Sequence, residues 1–123
     1  MMTEQITLEW LTLCDKQDLV PGSGIAAWLD GEQLALFYLP GVGNEIFALS
    51  NHDPIANANV IARGITGSLE QHPVVASPLY KQHYRLDNGS CLEQPELALK
   101  CWPARLNGNR VEVGSDSPQV NAA

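Results

Sequence analysis

Two turn-rich stretches decide the fold of this chain: residues 48–55, which read ALSNHDPI, and residues 75–80, which read VASPLY. In each stretch an apolar strand pattern runs into a polar turn that contains a proline, Pro54 or Pro78. Proline fixes its own φ, and an aspartate such as Asp53 readily accepts hydrogen bonds from its own loop backbone. Each stretch therefore predicts a strand that ends in an ordered loop.

Short strands joined by tight turns surround these stretches. An Asp-Gly pair at 30–31 separates strand patterns at residues 25–29 and 33–38, and Asn-Gly pairs follow at 88–89 and 107–108. Such pairs tolerate the positive φ angles of type I′ turns, whose twist matches that of paired strands. Three hairpin signals in one small chain predict an antiparallel all-β fold.

The other segments fit the same pattern, and only residues 15–19 suggest a helical turn. Further strands are predicted at residues 7–13, 45–49, 65–69, 74–76, 83–86, 91–92, 97–106 and 110–113, with long loops at about 50–62 and 77–82. No repeat or linker divides the chain. We expect residues 1–113 to form one domain and residues 114–123 a disordered C-terminal tail.

Composition narrows the class of protein. The chain has 123 residues, of which 45% are hydrophobic, and this suffices for one closed core. Its 7 basic and 14 acidic residues give a net charge of −7, which disfavours nucleic acid and anionic membrane surfaces as partners. No apolar run approaches the roughly 20 residues that span a bilayer. The N-terminus lacks the basic region of a secretion signal, so a cytoplasmic location is expected.

The three cysteines, Cys14, Cys91 and Cys101, are scattered along the chain. Their odd number argues against a disulfide framework, and no C-x-x-C pair points to zinc or iron–sulfur binding. We expect them to be small apolar residues in or near the core.

The order of these elements resembles the Rieske iron–sulfur domain. In that family a first loop carries Cys-x-His, a second carries Cys-Pro-x-His, and an aromatic strand follows that closes on a glycine turn. Here the corresponding segments are residues 48–55, 75–80, 83–86 and 87–89. The resemblance implies a Rieske-like antiparallel β sandwich or barrel with two long inserted loops at the former cluster site.

The resemblance places Asp53 and Ser77 at the two cysteine positions, and Ile55 and Tyr80 at the two histidine positions. A Rieske [2Fe–2S] centre needs two thiolates on one iron and two imidazoles on the other. Isoleucine offers no lone pair, and neutral hydroxyl groups are poor replacements for thiolate and imidazole. We therefore expect that this chain binds no cofactor or metal and carries no catalytic residue.

A narrower resemblance is to the small subunit of assimilatory NAD(P)H nitrite reductases. It rests on the Trp and Cys-Asp-x-x-Asp-Leu-x-Pro pattern in residues 10–21, on FALSNHDP at 47–54 and on the SPLYKQ stretch at 77–82. The resemblance implies a partner, the large catalytic subunit that carries FAD, an iron–sulfur cluster and sirohaem and reduces nitrite to ammonium. Nucleic acid and membrane are not expected as partners.

Several side chains have both a functional and a plain structural interpretation. Lys81, His83 and Arg85 could contact an acidic partner surface, or they could be ordinary solvated residues. Leu79 and Tyr80 could fill the space of a cluster, or they could pack as ordinary apolar side chains, which is the favoured interpretation. Trp28, within an alternating strand, is expected to lie in the core.

Two other functions remain open from the sequence. A ferredoxin-like electron carrier would need unusual ligation by His52, Asp53, Cys91 or His83. A free-standing binding module could reuse the same scaffold, since a fold does not fix a function. Catalytic templates fail, because the chain has neither a G-x-S-x-G elbow nor a nucleotide-binding G-x-G-x-x-G.

Overall fold

The computed structural model describes residues 9–115. They form twelve β-strands and two single 3₁₀ turns, so the predicted all-β fold is confirmed. The strands are β1 (Glu9–Asp15), β2 (Gly24–Leu29), β3 (Glu32–Tyr38), β4 (Ile46–Ser50), β5 (His52–Asp53), β6 (Ala58–Asn59), β7 (Ile65–Leu69), β8 (His72–Ala76), β9 (His83–Arg85), β10 (Cys101–Trp102), β11 (Ala104–Asn107) and β12 (Arg110–Ser115). The 3₁₀ turns are Lys16–Asp18 and Ile61–Arg63.

Every strand pair is antiparallel. The strands form a sheet of order β10-β4-β3-β2, a sheet of order β1-β12-β11, a sheet of order β7-β8-β9 and the short pair β5-β6. No helix within residues 9–115 has the length and apolar character needed to cross a bilayer.

Strand β3 separates two hydrophobic clusters. Leu34 and Leu36 pack in a cluster with Val111 of β12, whereas Phe37 packs in a second cluster with Val75 of β8. Because successive side chains of a strand point to opposite faces, β3 is covered on both sides. This explains why its sequence is a continuous apolar run rather than an alternating one.

Two of the three predicted hairpins are complete. β2 and β3 meet at Asp30 and Gly31, whose φ angles are 52° and 83°, and β11 and β12 meet around Gly108, at φ 64°. The turn at Gly89 is also present, but the strand predicted at residues 91–92 is only a single bridge between Tyr84 and Cys91. The third predicted hairpin is therefore a turn followed by a single β-bridge.

The single strand predicted at residues 97–106 is wrong. Pro103 divides it into β10, which pairs with β4, and β11, which pairs with β12. Proline has no N–H to contribute to a ladder, so it permits the chain to leave one sheet and join another. The division therefore links the two sheets that enclose the first cluster.

Two further expectations need correction. Trp28 is 64% exposed on β2, so it is not a core residue. β12 continues through Gly114 and Ser115, both buried, so the ordered domain extends beyond the predicted boundary at residue 113. The remainder of the predicted tail, residues 116–123, lies outside the described residues, as do residues 1–8.

Candidate functional site

The first predicted loop begins where β4 ends and holds the β5-β6 pair. Asp53 lies in its centre with no exposed surface. Its Oδ1 accepts hydrogen bonds from the backbone N–H groups of Ile55 at 2.9 Å and Ala56 at 3.2 Å. Asp53 thus caps its own loop, as its position before Pro54 predicts.

Asn51 anchors the base of the same loop. Its Oδ1 accepts a hydrogen bond from the N–H of Ala62 at 2.6 Å, and its Nδ2 donates to Gln33 Oε1 at 2.8 Å. Asn51 is buried. One side chain therefore ties the first and last residues of the loop to each other and to β3.

The second predicted loop is a compact turn after β8. The N–H of Lys81 donates to the carbonyl of Ser77 at 3.0 Å, and the N–H of Ser77 donates to the carbonyl of Gln82 at 2.9 Å. Lys81 has a positive φ of 64°, which reverses the chain direction. The loop is held by its own backbone as well as by contacts to its neighbour.

Four buried side chains join the two loops, and we call Asp53, Ser77, Gln82 and Tyr84 the polar cluster. Ser77 Oγ donates a hydrogen bond to Asp53 Oδ2. Gln82 Nε2 donates to Asp53 Oδ1 and to the Tyr84 hydroxyl, both at 2.9 Å. None of the four is more than 5% exposed. Two side chains of the second loop therefore reach directly into the first loop, and Tyr84 of β9 is connected to it through Gln82.

Both oxygens of the Asp53 carboxylate are hydrogen-bonded, Oδ1 to three donors and Oδ2 to one. The carboxylate accepts from Ile55, Ala56, Ser77 and Gln82, and an ionised carboxylate offers roughly four lone-pair directions. Such bonds are the usual way to offset the cost of burying a charge. The polar cluster is therefore a hydrogen-bonded strut between the two loops.

Tyr84 is held in its neutral form within this cluster. Burial raises the pKa of its hydroxyl, the hydrogen bond from Gln82 opposes the rise, and the charge of Asp53 adds to it. A neutral hydroxyl can accept the Gln82 N–H and still carry its own proton. The carbonyl Oε1 of Gln82 is buried without a hydrogen-bond partner in the described part of the chain.

Comparison with known proteins identifies the scaffold. Residues 9–114 match the family model described as a Rieske-like [2Fe-2S] domain. The nitrite reductase (NADH) small subunit of Salmonella typhimurium is 37% identical over 105 residues, which are 85% of this chain and 96% of that protein. The chain belongs to this Rieske-like small-subunit family. Membership makes it a subunit of an oxidoreductase.

Two further relatives of the small-subunit family are informative. A crystal structure from Mycobacterium tuberculosis, described as an NADH-dependent nitrite reductase small subunit, aligns with a TM-score of 0.84 and 37% identity and covers 91% of this chain and 99% of that one. The nitrite reductase [NAD(P)H] large subunit of Klebsiella oxytoca is 38% identical over 106 residues, which are 86% of this chain but 11% of that protein.

A Rieske cluster does not fit the donor groups that this small subunit presents. Asp53 and Ser77 are hydrogen-bonded to each other, and the Asp53 carboxylate also accepts a bond from Gln82. Tyr80 is 63% exposed and Ile55 is 37% exposed. The four positions that the sequence resemblance predicts for the ligands thus supply neither thiolate nor imidazole, which are the ligands that such a cluster requires.

The expectation that Leu79 and Tyr80 pack as apolar side chains, in the cluster space or elsewhere, is wrong. Leu79 is 53% exposed and Tyr80 is 63% exposed. The polar cluster occupies the interior between the loops instead. No local pattern predicted these contacts, because Ser77 and Gln82 reach Asp53 only through the pairing of strands that are distant in the sequence.

The three residues predicted to contact a partner differ in whether they form ion pairs with neighbouring side chains. The backbone and ring N–H groups of His83 lie 2.8 and 2.6 Å from the Glu93 carboxylate, and Arg85 makes two bonds to Asp87, at 2.8 and 2.7 Å. The hydrogen bond with Arg85 is the main reason that the pKa of Asp87 is lowered. Lys81 has no ion-pair partner among residues 9–115.

The ligands proposed for an electron carrier do not form a metal site. His52 contacts Asn59 through Nδ1 at 3.1 Å, and Cys91 Sγ lies 3.8 Å from Glu93 Oε1, which also binds His83. Within residues 9–115 there is no group of three His, Cys, Asp or Glu side chains arranged to hold a metal. His52 and Asp53 are therefore engaged in contacts of their own, whereas Cys91 and His83 share the carboxylate of Glu93.

Proposed function

We propose that this chain is the non-catalytic small subunit of a cytoplasmic NAD(P)H-dependent nitrite reductase that acts in nitrate assimilation. The observation that carries the proposal is the similarity to a nitrite reductase (NADH) small subunit over 96% of that protein's length. The role of the chain is to bind the large subunit and to support its assembly or its electron path.

The large subunit is the component that holds the cofactors in this proposal. FAD, an iron–sulfur cluster and sirohaem reside there, and there nitrite is reduced to ammonium. The Klebsiella oxytoca large subunit, which contains a stretch similar to this chain, supports such a partnership. Two domains that are fused in one polypeptide in one organism are good candidates to bind each other where they are separate chains.

The assignment of a binding rather than a catalytic role rests on the chemistry of the two loops. Asp53 and Ser77 are withdrawn into a hydrogen-bonded interior, and the aligned Ile55 offers no donor atom. A rigid loop end without reactive groups suits recognition, because little conformational freedom is lost when it binds.

An activity titration tests the proposal. The purified large subunit is assayed for nitrite-dependent NADH and NADPH oxidation while this chain is added, and complex formation is followed by size-exclusion chromatography. We expect a stoichiometric complex and a saturable change in turnover. An unrelated acidic protein of similar size serves as the control. A chain that stays monomeric and leaves both assembly and turnover unchanged overturns the proposal.

A second function is favoured by one observation, the match to a family described as a [2Fe-2S] domain. A ferredoxin-like carrier would need a cluster on this chain, with ligands outside the four aligned positions. Anaerobic reconstitution distinguishes the two functions, since visible absorption with stoichiometric iron and sulfide would support the carrier and exclude the binding role proposed above.

A further inference from the structure

The ends of the two loops expose a cluster of apolar side chains. Of the eight large hydrophobic residues that are exposed within residues 9–115, three belong to these loops: Ile55, Leu79 and Tyr80. We propose that these three residues with Lys81, which we call the loop tip, form the surface that docks onto the large subunit. The inference rests on the proposed function and names the surface that it uses.

The polar cluster brings the members of the loop tip together. The N–H of Ile55 donates to Asp53 Oδ1, and the N–H of Leu79 approaches Ser77 Oγ at 3.4 Å. Since Ser77 and Asp53 are themselves hydrogen-bonded, the backbones of Ile55 and Leu79 are fixed to the same buried pair. Tyr80 follows directly. The three apolar side chains therefore lie at one end of the molecule.

The apolar side chains of the loop tip are unusually exposed to solvent. Leu79 and Tyr80 are adjacent and both more than half exposed. Contiguous exposed apolar groups on a soluble protein typically mark an interaction site, and tyrosine is enriched among the residues that dominate binding energy. The hydrogen-bonded backbone beneath them means that the surface is formed before binding.

The charge around the loop tip differs from that of the rest of the chain. The whole chain carries −7, yet the loop segments 50–63 and 77–82 contain one acidic residue, Asp53, which is buried. Lys81, which follows Tyr80 directly, is an exposed cation without an ion-pair partner within residues 9–115. The surface is therefore apolar with a basic border at Lys81, and its complement is an apolar surface bordered by a carboxylate.

Charge also indicates that the partner bound at the loop tip is the large subunit rather than a second copy of this chain. A symmetric dimer through the loop tip would place Lys81 near its own equivalent, which is unfavourable. The occurrence of a similar domain within a nitrite reductase large subunit favours the heterologous contact. We therefore assign the loop tip to the large subunit.

Binding measurements on single variants test this assignment. The dissociation constant of the complex is measured with the full chain and with Leu79→Ala and Tyr80→Ala, each expected to raise it about tenfold or more. Ile65→Ala is the matched control, because Ile65 is 77% exposed on β7, outside the loops. It is expected to leave the constant within about threefold.

A charge reversal probes the basic border separately. Lys81→Glu is expected to weaken binding about tenfold at low salt and less at high salt, since exposed charges are screened. Arg110→Glu, on β12, is the control for the change in net charge and is expected to have a smaller effect.

The outcomes separate the two proposals. Wild-type binding that survives both Leu79→Ala and Tyr80→Ala, or that Ile65→Ala weakens equally, overturns the loop tip and leaves the proposed function intact. Failure of the wild-type chain to bind the large subunit overturns both. A concentration-dependent homodimer of the wild-type chain that Tyr80→Ala abolishes would reassign the surface to a second copy.

Discussion

Asp53 combines complete burial with four hydrogen-bond donors, two from its own loop and two from side chains beyond β8. The arrangement is asymmetric in its energetics. When all its hydrogen bonds are formed, the carboxylate contributes modestly to stability, because folding only exchanges hydrogen bonds to water for hydrogen bonds to protein groups. If the acceptor is removed, each buried donor keeps the full cost of its lost hydration.

Replacing Asp53 tests this energetic role. We expect Asp53→Ala to lower the free energy of unfolding by about 3 kcal/mol, since it leaves several buried donors unsatisfied. Ser77→Ala, which removes one donor and leaves the carboxylate three others, is expected to cost about 1 kcal/mol. Urea denaturation monitored by tryptophan fluorescence measures both. Equal losses for the two variants would contradict the role given to Asp53.

For single residues, the sequence predicted which loop a side chain lies in better than it predicted which side chains it contacts. Asp53 and Ser77 could be located because Pro54 and Pro78 mark the two loops. Their bond to each other joins residues that are 24 apart, and Gln82 reaches Asp53 across 29. Contacts of that separation depend on how strands are paired, which no local pattern encodes.

Among the elements, the passage from the 3₁₀ turn Ile61–Arg63 into β7 is tightly packed. A Cβ on Gly64 would lie 2.3 Å from the carbonyl oxygen of Ala76 and 2.7 Å from Val75 Cγ2. The backbone of the first loop therefore approaches the end of β8 so closely that only glycine fits. This contact fixes the spacing of the two loops at their base.

Two alanine substitutions in neighbouring positions test this close approach. Gly64→Ala is expected to destabilise the protein by about 2 kcal/mol or more, because the new methyl group meets backbone that cannot move cheaply. Gly67→Ala, in β7, has no atom within 4 Å of the added carbon and is expected to change stability by less than about 0.5 kcal/mol. Thermal unfolding compares them. A Gly64→Ala protein as stable as the Gly67→Ala protein would show that the base of the loops is not constrained.

The sheet of β1, β12 and β11 contains an ion pair that makes stability depend on pH. Arg105 Nε donates to Glu112 Oε1 at 2.8 Å, and the guanidinium lies 3.9 Å from the ring centroid of Trp10. The bond from Arg105 is the main cause that lowers the pKa of Glu112 from its usual 4.5, while burial opposes the shift and Asn107 adds to it.

A lowered pKa in the folded state sets the sign of the effect. The ionised Glu112 stabilises the folded chain above about pH 4.5, and this contribution is lost as the pH falls through the lower folded value. We expect Glu112→Gln to be less stable than wild type at pH 7, with the difference shrinking as the pH falls below about 4.5. Urea midpoints across this range measure it. A difference that stays constant with pH would contradict the assignment.

Element boundaries show where sequence patterns are informative. Turns encoded by Asp30-Gly31 and by Gly108 were predicted correctly, because a positive φ restricts the residues that can occupy them. The division at Pro103 was missed, since an apolar run does not reveal which sheet each half joins. Trp28 was misplaced because alternation indicates two faces but not which one is covered.

For the whole molecule, the central question is whether the scaffold retains any capacity for a cluster. The aligned positions Asp53, Ile55, Ser77 and Tyr80 reproduce the Cys-x-His and Cys-Pro-x-His spacing without the ligands. We expect the wild-type chain to stay colourless after anaerobic incubation with iron and sulfide.

A variant with all four ligand positions restored provides the positive control. Asp53→Cys, Ile55→His, Ser77→Cys and Tyr80→His together are expected to give visible absorption and about two irons per chain under the same conditions. Iron and sulfide analysis with electron paramagnetic resonance measures the outcome. A coloured wild-type protein would refute the expectation for this chain, and a colourless quadruple variant would contradict the alignment of the four positions.

The strut between the loops also bears on how the protein matures. Its cross-links are an aspartate, a serine, a glutamine and a tyrosine, all present when translation ends. The closure of these loops thus awaits neither iron supply nor the cellular machinery that delivers inorganic sulfur. In the cluster-free subunit proposed above, oxygen stress, which dismantles exposed metallocentres, would find no target in these loops.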